Sequence, residues 1–193
     1  VIYIFGRNHR IMSLFDDNDK VGLAMIILAV VTFVMAIVGV VLVFTNDGDK
    51  LPGILSAIGS ALAGVIYFGF GKKLRNNEFT GKMNILVAFI KVTALVTLIN
   101  GIFSIPSWVN VAVYIVIAAV LYWCTMKMTD GQTTISDNVI WVVLLVLFIL
   151  GLISSIMLIL GIITIPLAIC GIIIYGFMIK LLLDPEVKSA MGM

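Results

Sequence analysis

The sequence predicts an all-α, polytopic membrane protein with six transmembrane helices, and three observations predict it. Of its 193 residues, 62% are hydrophobic and only 11% are charged, whereas soluble domains run at roughly 45–50% and 25%. Mean hydropathy is +1.24, which excludes both a water-soluble globule and a disordered chain. The apolar residues are also gathered into runs: Val21 to Phe44, Leu51 to Phe70, Met83 to Ile105, Pro106 to Met126 and, unbroken, Val139 to Leu183. Each is long enough to cross a hydrocarbon core of about 30 Å.

Taken in order, residues 1–20 form an N-terminal segment, cytoplasmic or interfacial, whose apolar patch Val1 to Phe5 is too short to span. Two readings fit it: a true start at Met12, or an interfacial segment over residues 1–15 with Arg7 and Arg10 at the headgroups. The first span ends at the turn Thr45 to Lys50. The second is crowded with small residues, and Ser56, Ser60 and Gly64 form a small-xxx-small ridge suited to close helix packing. The third and fourth meet at Ile105 and Pro106. As one helix, the last run would be about 67 Å long at 1.5 Å per residue, so it must turn back. The break belongs at Thr164, Ile165 and Pro166, because proline lacks the N–H of a helix interior but suits a first turn. The result is a transmembrane domain over 21–183, made of hairpins 21–71, 83–127 and 139–183, with a cytoplasmic tail at 184–193.

Orientation follows from the basic residues. Arg7, Arg10, Lys20, Lys72, Lys73, Arg75, Lys82, Lys127, Lys180 and Lys188 share one side of a six-span chain, and Lys50 stands on the other. The positive-inside rule then places both termini in the cytoplasm of a cell-membrane protein. A net charge of +2 is too balanced to imply nucleic acid as a partner.

The hairpins also repeat. Tyr67 and Lys72, Tyr122 and Lys127, and Tyr175 and Lys180 recur at intervals of 55 and 53 residues. The segment from Gly101 to Pro106 matches that from Gly161 to Pro166, with Gly39 and Pro52 as looser counterparts. Three tandem hairpins of the same sense are parallel repeats about an axis near the membrane normal. The Tyr and Lys pairs read as interfacial anchors, the ring in the aromatic belt and the ammonium among the headgroups. Tandem hairpins with Gly and Pro at the outward turn resemble the HdeD-type acid-resistance membrane proteins and the small multi-pass proteins of unknown function common in archaea. The resemblance covers most of the span region. It implies a six-helix membrane protein and carries over no catalytic signature.

Chemistry is sparse. Asp16, Asp17, Asp19, Asp47, Asp49, Glu78, Asp130, Asp137, Asp184 and Glu186 all lie outside the apolar runs, which weakens proton- or cation-coupled transport through intramembrane carboxylates. His9 stands alone, and Cys124 and Cys170 each sit singly in an apolar run, so no catalytic, cofactor or metal set is expected.

One charge enters the membrane. Lys91 follows Lys82 by nine residues, about 13 Å along a helix. It either snorkels back to the headgroups or lines a path for an anion or substrate. Thr93, Thr97, Asn100 and Ser104 share one face of the same helix, on the side away from Lys91. They serve either interhelical hydrogen bonding or a polar conduit. The expected function is non-enzymatic, a structural, accessory or stress-related role exercised through helix packing in the lipid bilayer, with a homo-oligomer or a membrane partner protein. The alternative is a small transporter or channel for an ion or solute, with Lys91 and the polar stripe along its path.

Overall fold

In hydrocarbon every backbone N–H and C=O must be satisfied within the protein, so an apolar chain of this kind is driven into helices. The computed structural model describes residues 17–45, 50–103, 108–129, 135–161 and 165–193, the side chains of 135–137 aside. The N-terminal segment with Arg7, His9 and Arg10, the turn residues 46–49, 130–134 and 162–164, and Ser104 with the rest of 104–107 lie outside them. Seven helices follow in order: α1 (Asn18–Thr45), α2 (Lys50–Arg75), α3 (Lys82–Ile102), α4 (Trp108–Met128), α5 (Ile135–Met157), α6 (Ile165–Leu183) and α7 (Pro185–Ala190). The first six are long and apolar enough to cross a membrane.

The long final run breaks as its length demands. α5 tightens into a 3-10 turn at Leu158–Leu160, and Gly161 is extended, with φ −101° and ψ 119°. Pro166 then falls in the first turn of α6, where its missing N–H costs nothing.

The chain forms two compact units that do not follow the hairpin boundaries. The first holds the described parts of Val1–Ile26, Gly71–Leu86 and Gln132–Met193; the second holds those of Ile27–Phe70 and Val87–Gly131. The described residues of the third hairpin thus all belong to one unit, together with the first turns of α1 and α3 and the last turn of α2.

Within the first unit, α1 and α2 touch backbone to backbone. A Cβ on Gly22 would lie 2.7 Å from the Gly71 carbonyl oxygen, and one on Gly71 would lie 2.7 Å from that of Gly22. Only glycine permits this approach, which matters because lipid supplies no hydrophobic force between helices and leaves packing to close contact. α5 and α6 also meet at glycines, here against side chains. Gly151 lies under the Tyr175 ring and Gly171 against Ser155, whose buried hydroxyl donates to the Gly151 carbonyl at 2.8 Å. Val21, Met25, Leu74, Leu86, Ile140, Leu144, Met178 and Leu182 are fully buried in this unit.

In the second unit Gly64 faces Thr32 and Phe33, Gly53 faces Val43, and Ala57 approaches Gly39. The Phe70 and Phe89 rings pack tilted with centroids 6.1 Å apart. Of the small ridge expected on α2, Gly64 therefore lies in the contact with α1. Ser56 is exposed and Ser60 half-buried, the Ser60 hydroxyl being engaged by the Ser56 carbonyl at 2.9 Å on its own helix. The contact is carried by Gly53, Ala57 and Gly64, a line that shares Gly64 with the ridge and is turned from it by about 40° around the helix. α4 leaves Val109, Val113, Val116 and Val120 exposed, a stripe at helical spacing suited to acyl chains.

Two neighbouring glycines should separate packing from propensity. Gly71→Ala forces its methyl against the Gly22 carbonyl and should destabilise by about 1–3 kcal/mol. At Gly69 nothing lies within 4 Å of an added Cβ, so Gly69→Ala should stabilise by about 0.5–1 kcal/mol through helix propensity. Unfolding of both variants in mixed micelles checks this; equal effects would remove the role given to the backbone contact.

Candidate functional site

The site is built by the chain reversal between α2 and α3. α2 closes in a Schellman motif: Asn77 takes the left-handed conformation (φ 50°), its N–H donates to Leu74 O at 3.1 Å, and the Glu78 N–H donates to Lys73 O at 3.0 Å. The Asn18 amide donates to Asn77 Oδ1 at 3.3 Å, and Arg75 Nε pairs with Asp19 at 2.7 Å. Gly81, at φ 84°, then turns the chain into α3. These local choices deliver Lys82 to the end of α6.

There Lys82 Nζ meets Asp184 Oδ2 at 2.6 Å. Asp184 is also the N-cap of α7, its other carboxylate oxygen accepting the Glu186 N–H at 3.0 Å, with Pro185 following in the first turn. The segment 184–193, expected as a tail, is thus folded. Val187 is completely buried, and Met191 is buried as well. Lys188 stands over the Trp141 ring with its nitrogen 5.4 Å from the centroid, and Trp141 Nε1 donates to the Leu182 carbonyl at 2.8 Å.

Between these elements lies a partly open cleft of about 330 Å³. Lys82, Lys180, Asp184 and Glu186 supply its charged lining, and Phe79, Ile85, Phe177 and Leu181 its apolar wall. The hydrogen bond from Lys82, then the Glu186 N–H and the charges of Lys82 and Lys180, hold the Asp184 carboxyl below the usual carboxylate range. Lys82 therefore pairs with an ionised carboxylate at the head of an apolar groove that Lys180 also lines.

The residues singled out in the sequence fall elsewhere, with one exception. Lys91 is exposed on α3, on the same face as Leu95 and Ile102, and has no hydrogen-bond or ion-pair partner among the described residues. Thr93 and Thr97 are half-buried and Asn100 is exposed; the Thr93 hydroxyl donates to Phe89 O at 2.9 Å within its own helix. Of the anchors, Tyr122 and Lys72 are exposed, while Tyr67, Lys127, Tyr175 and Lys180 are intermediate. Lys180 is the exception, since it enters the cleft. Cys124 and Cys170 are buried and unbridged.

The cleft itself was not evident in the sequence. One signal was present: Asp184-Pro185-Glu186 has the form of a capped helix start. No protein-family model matches the chain, and neither a curated protein nor a solved structure is significantly similar to it.

The Asp184 tie should respond to acid. Because its folded pKa is lowered, the stabilisation is complete well above the unfolded value of about 3.9 and is lost as pH falls through the lowered one. Asp184→Asn keeps an N-cap but no charge. It should cost about 0.2–1 kcal/mol at neutral pH and abolish the acid-induced rise in α7 amide exchange. Exchange that still rises in this variant would assign the acid response to another group.

Proposed function

We propose that this chain is a non-enzymatic integral membrane protein with a structural, accessory or stress-related role, acting through helix packing with a membrane partner. The observation that supports this reading is the position of Lys91. It stands in the middle of a spanning helix on an exposed apolar face, at a cost of roughly 2.5–3.5 kcal/mol on insertion scales. A carboxylate on a neighbouring helix would offset that cost. Every acidic residue of this chain lies outside the apolar runs, so a carboxylate at that depth would come from a different protein, and this favours a heteromeric partner for the face over a second copy.

The transporter reading requires Lys91 and the polar stripe to line a passage. An exposed Lys91 beside Leu95 and Ile102 weighs against its membership of such a path. A photocrosslinker at Leu95 in native membranes should give a discrete heteromeric adduct that disappears in Lys91→Met at unchanged expression. An adduct of two copies, or one indifferent to Lys91→Met, would overturn the reading. So would a well-folded Lys91→Met protein that loses a measurable solute flux in proteoliposomes.

The finer architecture belongs to the same proposal: three parallel hairpin repeats in a cell membrane, both termini cytoplasmic. It is supported by the recurring Tyr and Lys pairs and by the gathering of Lys20, Lys72, Lys73, Arg75, Lys82, Lys180 and Lys188 in the first unit. Cysteines placed at Asn46 and Ser107 should react with an impermeant reagent from outside, and those at Asn77 and Thr133 should not. The native cysteines are buried, so labelling reports the introduced ones; the reverse pattern would invert the topology.

A further inference from the structure

We infer that the cleft between the start of α3 and the end of α6 is a binding site for the phosphate-bearing headgroup of a membrane lipid. Its phosphate would sit against the ammonium groups of Lys82 and Lys180, and the first carbons of its chains along Phe177 and Leu181. This inference is independent of the role proposed for Lys91.

Three features carry it. The first is level: α6 ends its apolar span at Leu183, so a cleft lined by Phe177, Lys180, Leu181 and Asp184 straddles the boundary where headgroups lie. The second is charge. Lys82 is held 2.6 Å from Asp184, and the Lys180 charge also acts on that carboxylate. Lys82 is thus fixed at the cleft that Lys180 also lines, and lysine binds phosphate as a point charge without needing a bidentate fit. Glu186 lies toward Gly81, its Oε1 3.5 Å from where a Cβ on that glycine would be, and offers a counter-charge to a headgroup amine. The third is the wall. Phe177 and Leu181 are buried apolar residues, which a free phosphate ion would not use and an acyl-bearing one would. A volume of about 330 Å³ lies at the lower end of ordinary ligand pockets, about 300–1,000 Å³, and suits a headgroup rather than a whole lipid.

Among the three repeating lysines only Lys180 lines this cleft, which gives the test its control. The full-length protein in detergent is incubated with phosphatidylglycerol, phosphatidylethanolamine or diacylglycerol, and retained lipid is measured by native mass spectrometry. Phospholipid should be retained and diacylglycerol not. Lys180→Gln should weaken phospholipid retention about tenfold, the loss expected for a charge-assisted hydrogen bond, and Lys180→Arg should restore it. Lys127→Gln, in the corresponding position of the second hairpin, should leave it unchanged. Equal retention of diacylglycerol, or equal losses for Lys127→Gln and Lys180→Gln, would overturn the site. Displacement of the lipid by millimolar inorganic phosphate would assign the cleft to free phosphate and overturn the lipid as its source. The comparison of lipids on the unaltered protein decides the matter even if a variant fails to fold.

Discussion

Close backbone contact between helices is the interaction on which the rest of this structure depends. In water, an apolar helix face is pressed against its neighbour by the cost of hydrating it. In hydrocarbon that cost is absent, because lipid tails solvate leucine as well as another leucine does. What remains is dispersion and direct hydrogen bonding, both of which fall off within an ångström or so. The pairs Gly22 with Gly71, and Gly171 with Ser155, bring helix axes near enough for these forces to act. An added methyl at either place meets main-chain or buried hydroxyl atoms that have nowhere to go.

The first unit adds a second kind of bond at its polar edge. Arg75 with Asp19, Asn18 with Asn77, Lys82 with Asp184, and Trp141 with Leu182 each join residues distant in sequence. Exposed ion pairs contribute little individually. Their value here is positional, since they fix the α2 to α3 reversal and seat α7, and the cleft is the space those constraints leave. A site of this kind costs the protein little stability. Its paired charges are partly open to solvent, while its apolar wall continues the core.

Lys91 shows the opposite case, an exposed charge midway along an apolar helix with no hydrogen-bond or ion-pair partner among the described residues. Its exposed position on α3 and the polar cleft near the helix ends divide the chain's chemistry between two locations: a cation midway along an apolar helix, and a balanced set of charges where two such helices end. The proposed roles follow that division, protein contact for the first and lipid contact for the second.

The sequence by itself determined the number of spans, their approximate ends and the forced break in the final run. These are local quantities: an apolar length set against bilayer thickness, a proline without an N–H at position 166, and lysines and tyrosines at helix ends. Which face of each helix meets which neighbour was decided only by tertiary structure. Ser56, Ser60 and Gly64 and the line Gly53, Ala57 and Gly64 are equally plausible ridges in sequence; Gly64, common to both, meets α1 together with Gly53 and Ala57, while Ser56 is exposed. The docking of residues 184–193 was likewise hidden, although its Asp-Pro cap was visible, because a pairing such as Lys82 with Asp184 spans 102 residues. The physical reason is common to all of these. In a membrane the lipid-facing and protein-facing sides of a helix are equally apolar, so hydrophobicity marks the depth of a residue and says nothing of the direction in which it points.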